Sequence, residues 1–331
     1  MNKLIGLLVI VGSLLLGWAW MEYDDFRRMP LTIAQGSVIY EVPRGATLAS
    51  VAEDLQAAGI IEKAQYLQWY GQYTGQANRI RAGEYRLTAD LVPDTLLALL
   101  VSGQSVSYSL TLLEGWNIRQ VRAAVAAHDA LQHTLEGVDD QELMERLGLP
   151  GAHPEGRFFP DTYHFARGMT DLEFLRRAQR KMDDELAAAW AGRAEDLPLA
   201  NADEALILAS IVEKETGQAD ERAEIAGVFA RRLRKGMKLQ TDPTVIYGMG
   251  ERFDGNLRRA DLREDTPYNT YVHPGLPPTP ICMPGRDALR AAVNPAPGKT
   301  LYFVSTGDGS HVFSETLIEH NAAVRRYQLK R

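Results

Sequence analysis

Cysteine is nearly absent from this sequence, because Cys282 is the only one among 331 residues. A single cysteine cannot form a disulfide within the chain, which excludes a small disulfide-stabilised scaffold. Two alternatives remain: a protein of a reducing compartment, or an exported protein that is stabilised by its core alone. With 45% hydrophobic and 24% charged residues, the composition is typical of an ordinary folded protein.

An excess of basic residues is also lacking. The formal net charge is -7, so the sequence offers no electrostatic footprint for nucleic acid. It contains no Walker loop and no GxGxxG loop, and its seven histidines include no HExxH pair or other paired metal spacing. We therefore expect no cofactor, no metal site and no nucleic-acid partner.

Charge is missing altogether from residues 4–20, an apolar run of 17 residues. As a helix this run would be about 26 Å long, slightly less than the hydrocarbon core of a bilayer. It predicts either an uncleaved membrane anchor or a cleaved signal peptide. The bulky rings of Trp18 and Trp20 occupy the place of a small-x-small cleavage site, which favours the anchor, and the short stub before it favours an outside location for the rest of the chain. The predicted order is a cytoplasmic stub over residues 1–3, a transmembrane helix over 4–20 and a linker over 21–36.

A mixed α/β pattern follows the apolar run. Residues 38–42 have a strand pattern, and apolar residues from Leu48 to Leu55 repeat at helical spacing. A second helix is predicted over residues 63–73, and another strand starts at Gly83. This β-α-α-β unit, assigned to residues 37–90, resembles LysM, a small glycan-binding module. A structural spacer is the alternative interpretation.

Residues 201–217 predict a helix that is apolar on most sides. Asn201 is a suitable N-cap, with Glu204 three residues later completing a capping box, and Gly217 is a typical C-terminal stop. The last turn nevertheless contains Glu213 and Glu215. These two positions are about 200° apart around the axis, so the two carboxylates cannot face the same groove.

Glu215 is the better candidate for a general acid. It follows Ile211 and Val212 at helical spacing and would emerge from the apolar face. Burial and the negative end of the helix dipole both disfavour a charged carboxylate, so both would raise its pKa. A general acid that works near neutral pH needs such an environment. The alternative is that both glutamates are solvated residues of a fraying last turn.

Residues 211–216, Ile-Val-Glu-Lys-Glu-Thr, resemble the signature of the endolytic murein transglycosylases, the YceG-like family. The resemblance continues through residues 232–233, 237–248, 268–271, 275–278, 301–304 and 311–313 and so spans most of the chain. It implies an α+β fold with an N-terminal transmembrane helix, a LysM-like α/β module and a mixed α+β YceG-like catalytic domain over residues 91–331. Thr279 and Met283 stand where the family commonly has glycine and asparagine, which puts the glycan contacts of that loop in doubt.

The family's catalytic glutamate falls on Glu215, so the resemblance implies a lytic transglycosylase with one acid/base. Glu215 would protonate the oxygen between N-acetylmuramic acid (MurNAc) and N-acetylglucosamine (GlcNAc). It would then take the proton of the muramoyl C6 hydroxyl, which closes onto C1 and leaves a 1,6-anhydro end. Such a reaction is a lyase reaction without a cofactor. The residues that we hypothesise to bind substrate are Thr216, Gln240, Thr241, Asp242, Tyr247, Tyr268 and Asn269. The resemblance also implies peptidoglycan strands as substrate and penicillin-binding synthases as partners, in the periplasm at the inner membrane.

Other functions stay open at this point. A non-catalytic, membrane-tethered peptidoglycan-binding scaffold would need only the LysM-like module. A hydrolase would need a second carboxylate, for which Asp242 is the best candidate, although Thr-Asp-Pro-Thr equally predicts an Asx turn before a short strand. Ser305, Asp308 and His311 flank a Gly-Asp-Gly turn, which predicts a hairpin and not a catalytic triad.

Overall fold

The computed structural model describes residues 2–34 and 36–329. Met1 of the predicted stub, Gln35 of the predicted linker, and residues 330–331 lie outside the described residues. The chain forms two compact units. Unit 1 comprises Met1–Tyr108 and His164–Gly168, and unit 2 comprises Ser109–Tyr163 and Met169–Arg331.

Unit 1 begins with helix α1 (Asn2–Arg28), which contains the apolar run over residues 4–20 and extends into the predicted linker. The C-terminal end of α1 is attached to the rest of the unit. Phe26 is buried there, and Arg27 Nη2 lies 2.7 Å from Asp94 Oδ2. Within the described parts of the chain, we find no helix with both the length and the apolar character needed to cross a membrane.

The remainder of unit 1 has the predicted β-α-α-β order. Strands β1 (Ser37–Val42) and β2 (Gly83–Thr88) pair antiparallel, and helices α2 (Leu48–Ala57) and α3 (Ala64–Tyr73) lie between them in the chain. Helix α4 (Pro93–Ser102) follows. Its buried leucines belong to the same hydrophobic cluster as those of α2, so α4 is part of unit 1.

Unit 2 is mixed α+β, with more helix than strand. Its helices are α5 (Ile118–Ala126), α6 (Asp140–Leu147), α7 (Asp171–Ala191), α8 (Ala202–Glu215), α9 (Arg222–Arg234), α10 (Asp242–Met249), α11 (Arg286–Val293) and α12 (Leu317–Tyr327). The remaining strands are β3 (Tyr108–Thr111), β4 (Leu131–Gln132), β5 (Thr162–Phe165), β6 (Met169–Thr170), β7 (Tyr302–Ser305) and β8 (His311–Ser314). Strands β3 and β5 each run across a boundary between the units. Strands β4 and β6 pair parallel, and β7 and β8 form an antiparallel hairpin.

Helix α8 runs through the core of unit 2, where it packs against α7, α9, α10 and α11. Asn201 is the N-cap as predicted, because its side chain accepts a hydrogen bond from the Glu204 amide. The predicted capping box is not formed, because the Glu204 carboxylate accepts from the Ala200 amide at 2.7 Å. The end of α8 differs from the prediction. The helix stops at Glu215, and Thr216 is the C-cap in an extended conformation, so the chain leaves the helix before it reaches Gly217.

Asp242 lies in the first turn of α10, and no strand follows it. The alternative of an Asx turn before a short strand was therefore wrong. Pro243 explains the difference, because proline is well tolerated at the first helical positions, where its missing N–H has no helical partner to lose. The carboxylate of Asp242 is also favourable near a helix N-terminus.

Candidate active site

Glu215 is the last residue of α8, and its carboxyl group is bonded to a neighbouring loop. Thr241, the N-cap of α10, donates a hydrogen bond from Oγ1 to Glu215 Oε1. Thr241 is itself held in place, because its amide donates to Thr270 Oγ1 at 3.1 Å. Threonine 241 is buried, so the contact with Glu215 is shielded from bulk water.

Burial raises the pKa of Glu215 to about 7. The hydrogen bond from Thr241 acts in the opposite direction, because it favours the ionised carboxylate. The negative charge of Asp242 raises the pKa further, whereas His311 and Arg232 lower it. The group therefore exchanges a proton close to neutral pH, which suits both an acid and a base.

The carboxyl group of Glu215 faces a cavity of about 530 Å³ in unit 2. This volume lies within the range that is typical of small-ligand sites. The lining combines polar groups from α8, α9, α10, the β7–β8 hairpin and α12. The residues are Glu215, Arg232, Leu239, Gln240, Asp242, Tyr271, Tyr302, Phe303, Val304, Ser305, His311, Leu317, His320, Asn321, Val324 and Gln328.

Arg232 organises one side of this cavity. Its Nε donates to the Leu301 carbonyl at 2.7 Å, and its Nη1 donates to the Leu239 carbonyl at 2.8 Å. The same Nη1 lies 3.3 Å from Gln240 Oε1. Gln240 has a φ of +53°, an unusual backbone conformation for a residue with a side chain. The bonds of Arg232 to this loop therefore help to hold Gln240 at the cavity.

A second carboxylate, that of Asp242, lines the same cavity. Tyr271 donates from its hydroxyl to Asp242 Oδ1 at 2.6 Å. Both side chains belong to the lining, and the Asp242 charge acts on Glu215. The site thus contains two carboxyl groups, the half-buried Glu215 and the exposed Asp242, and the pKa of Glu215 is raised.

Glu213 has different surroundings, as the helical-facing argument predicted. Its Oε2 accepts a hydrogen bond from the Gly285 amide at 2.9 Å, and its Oε1 lies 3.7 Å from Arg222 Nη2. It is not among the residues that line the cavity with Glu215. Glu213 therefore connects α8 to the start of α11, and Glu215 is the glutamate of this pair that faces the cavity.

The structure brings only some of the predicted substrate-binding residues to Glu215. Gln240 and Asp242 line its cavity, and Thr241 bonds to its carboxyl group. Thr216 is buried, and its hydroxyl accepts a hydrogen bond from the Gln218 amide at 2.9 Å.

The other three predicted residues form contacts away from this cavity. Tyr247 donates to Glu155 Oε2 at 3.0 Å, and the hydroxyls of Tyr268 and Thr279 are 2.8 Å apart. Asn269 is buried, and its amide nitrogen donates to two loop carbonyls, of which that of Glu264 is 2.7 Å away. These three residues thus bond to other parts of the protein and stabilise the segments in which they lie.

Sequence reasoning did not select Arg232, Tyr271, Tyr302 or the residues of α12 as site residues. Tyr271 lies in a segment that carried the family resemblance, and this signal could have identified it. No local pattern distinguishes the α12 residues, because the helix becomes a cavity wall when it packs against β7 and β8.

The predicted hairpin is present in place of a catalytic triad. Ser305 lies opposite His311 in the β7–β8 register. Asp308 accepts hydrogen bonds from Ser310 within its own turn, whereas His311 Nδ1 lies 2.6 Å from Glu221 Oε2. A hydrogen bond between the Ser305 hydroxyl and the His311 ring is absent from the described residues.

The fold and the site together define a mixed α+β protein with a carboxylic acid poised for proton transfer in a ligand-sized cavity. The model of the YceG-like family matches residues 40–326. The chain therefore belongs to the YceG-like family, as its motifs predicted.

Known proteins that resemble this chain agree with that assignment. A Bacillus subtilis (strain 168) protein named endolytic murein transglycosylase is 31% identical, over 97% of this chain and 91% of the relative. A Streptococcus pneumoniae serotype 2 (strain D39) protein of the same name is 26% identical, over 86% of this chain and 57% of that protein. A crystal structure titled as a putative yceG-like protein from Listeria monocytogenes has a TM-score of 0.56 and 29% identity, and covers 88% of this chain and 100% of its own.

Proposed function

We propose that this chain is an endolytic murein transglycosylase that cuts the MurNAc-GlcNAc bond of peptidoglycan and leaves a 1,6-anhydroMurNAc end. The observation that carries the proposal is the Glu215 carboxyl group, which lies against a cavity of about 530 Å³ and has a pKa of about 7. The relatives named endolytic murein transglycosylase support the same reaction. No cofactor enters the mechanism.

Glu215 performs both proton transfers. In its neutral form it donates its proton to the glycosidic oxygen, and the bond between that oxygen and muramoyl C1 breaks. The resulting carboxylate removes the proton of the muramoyl C6 hydroxyl while the C6 oxygen bonds to C1. The proton that Glu215 gives is thus replaced at the end of the cycle, and a pKa near 7 makes both steps accessible.

The groups around Glu215 have distinct roles in this proposal. Gln240, Asp242 and Tyr271 line the cavity and contact the sugar rings. Thr241 orients the carboxyl group through its hydrogen bond. The predicted residues Thr216, Tyr247, Tyr268 and Asn269 support the surrounding loops by the contacts described above.

A hydrolase is the second candidate, because Asp242 lines the same cavity and could activate water as the second carboxylate of a glycosidase. Mass spectrometry of peptidoglycan that has been digested with the purified chain separates the two. We expect cuts at internal positions of the strands, each of which creates a new 1,6-anhydro end. New reducing ends would identify a hydrolase, and the absence of new ends would leave a peptidoglycan-binding scaffold.

We also infer that the enzyme acts outside the cytoplasm, anchored to the inner membrane by residues 4–20. Apolar side chains of this segment are exposed, including those of Leu14 at 68% and Leu16 at 74%. Unit 1 contains the β-α-α-β segment that we propose as a LysM-like glycan-binding module, and unit 2 is the catalytic domain. Association with penicillin-binding synthases would follow from a location near nascent strands.

Cell fractionation tests the anchor. We expect the full chain in the membrane fraction, extractable by detergent but not by high salt, because the attachment is apolar. A variant in which a cleavable signal peptide replaces residues 2–20 should still be exported and should be found in the soluble periplasmic fraction. Recovery of the full chain in a soluble fraction would contradict the anchor. The same detergent extract tests the proposed association, which would be contradicted if penicillin-binding synthases do not co-purify with the chain.

A further inference from the structure

His311 is held by Glu221 in a single orientation at the cavity of Glu215. Its backbone amide donates to Glu221 Oε1 at 2.8 Å, and its Nδ1 lies 2.6 Å from Glu221 Oε2. The ring also meets that of Phe303 edge-on, with centroids 5.5 Å apart and planes at 85°. Two contacts thus fix the ring, the backbone bond holds the Glu221 carboxylate beside it, and the His311 side chain is only 9% exposed.

The bond to Glu221 determines which ring nitrogen is available to a ligand. A carboxylate only accepts hydrogen bonds, so Nδ1 carries the hydrogen of this contact, and Nε2 is the ring nitrogen that remains for a ligand. No group in the described part of the chain bonds Nε2. Because His311 lines the same cavity as Glu215, a hydroxyl group of a bound sugar is a partner of suitable chemistry for this nitrogen.

We propose that His311 is a substrate-contacting residue that holds the C6 hydroxyl of the muramoyl ring, and that Glu221 is the residue that positions it. This inference rests on the proposed function. Before the cut, a hydrogen bond between Nε2 and the C6 hydroxyl group aims the C6 oxygen at C1, and the hydroxyl hydrogen turns to Glu215 for the next step. After Glu215 has given its proton to the leaving oxygen, its carboxylate takes the C6 proton as the C6 oxygen bonds to C1. His311 neither gains nor loses a proton over the cycle.

The ratio of products tests this role. Water competes with the C6 hydroxyl for the same C1 centre, so loss of the group that aims the hydroxyl should favour water. For His311→Ala we expect cutting about tenfold slower, as for loss of one hydrogen bond, and a several-fold larger share of reducing ends among the new ends. His311→Gln, whose side-chain amide can reach the position of Nε2, should recover part of both. Glu221→Gln should lie between His311→Ala and the unaltered chain.

A matched control is available on the surface of unit 2. His273 Nε2 lies 2.6 Å from Asp265 Oδ1, and its side chain is 48% exposed. His273→Ala should change neither rate nor product ratio. The His311→Ala variant also keeps the backbone bond from residue 311 to Glu221, so the attachment of the hairpin is not removed with the ring.

The outcomes distinguish this inference from the proposed function. If the unaltered chain makes no anhydro ends, the proposed function fails. If it makes them and His311→Ala cuts more slowly with an unchanged product ratio, or at an unchanged rate, the role of His311 is overturned and the proposed function stands. If His311→Ala makes no measurable cuts, His311→Gln decides: a raised share of reducing ends supports the role, and an unchanged share or complete inactivity overturns it.

Discussion

Replacing Glu215 with glutamine will slow strand cutting by about 10²–10⁴-fold, the usual contribution of a general acid–base group. Glutamine has nearly the same shape and can still accept the hydrogen bond from Thr241. It cannot donate a proton to the glycosidic oxygen, and it cannot accept one from the C6 hydroxyl. The measurement is the rate at which new ends appear in purified peptidoglycan.

Glu213→Gln is the matched control for this change, because it removes a carboxylate two residues earlier in the same helix. Glu213 bonds to the Gly285 amide and does not line the cavity. We expect activity within about threefold of the unaltered chain and a stability loss of about 1 kcal/mol, because glutamine can still accept from Gly285 but loses the ion pair with Arg222. Loss of cutting in Glu213→Gln but not in Glu215→Gln would reverse the assignment.

Unfolding will not explain the loss in Glu215→Gln. The folded-state pKa of Glu215 is raised from 4.5 to about 7, so the folded state binds more protons than the unfolded state between these two values. The free energy of unfolding therefore falls as the pH rises through this window. Glutamine has no charge to lose, so the variant should be at least as stable as the unaltered chain at pH 8 in thermal melts.

The rate of strand cutting by the unaltered chain will fall about tenfold per pH unit above pH 7. The first step needs Glu215 in its protonated form, and a pKa of about 7 means that this form declines above neutrality. The profile of kcat/KM against pH measures this, because it reports the pKa values of the free enzyme. A profile that is flat between pH 7 and pH 9 would contradict a general acid with this pKa.

Two substitutions should shift the alkaline limb, the part of the kcat/KM profile that falls above pH 7, in opposite directions. Thr241→Val removes a hydrogen bond that lowers the pKa of Glu215, so the limb should move to higher pH. Asp242→Asn removes a negative charge that raises the same pKa, so the limb should move to lower pH. Both shifts can be measured on whatever activity remains. Shifts in the same direction would show that another group controls the limb.

Local chemistry was enough to find the helix that carries the proposed acid. An apolar stripe, the cap at Asn201 and the spacing of Glu213 and Glu215 are properties of one segment of chain. Helix periodicity alone therefore predicted that the two glutamates face different surroundings, and the structure agrees. The turn around Asp308 was predictable for the same reason, because glycine and aspartate specify a hairpin within a few residues.

Tyr247 and Tyr268 show where such reasoning cannot choose between two roles. Their residue type and their place in the family motifs suggested contact with sugar rings, yet Tyr247 bonds to Glu155 and Tyr268 bonds to Thr279. The ring and hydroxyl of a tyrosine suit both a packed interior and a ligand-binding surface. Only the position of a partner far away in the sequence, such as Glu155, decides between these two roles.

The order of residues along the chain thus established the family, predicted the main helices and singled out Glu215 as the candidate acid. It did not establish which groups would surround that carboxyl, because Thr241, Arg232 and His311 come from three different segments. Local patterns report how one segment folds, whereas the pKa and the cavity depend on how several segments pack together. Packing withdraws water from Glu215 and brings these groups to it, and this supplies the proton chemistry that the reaction needs.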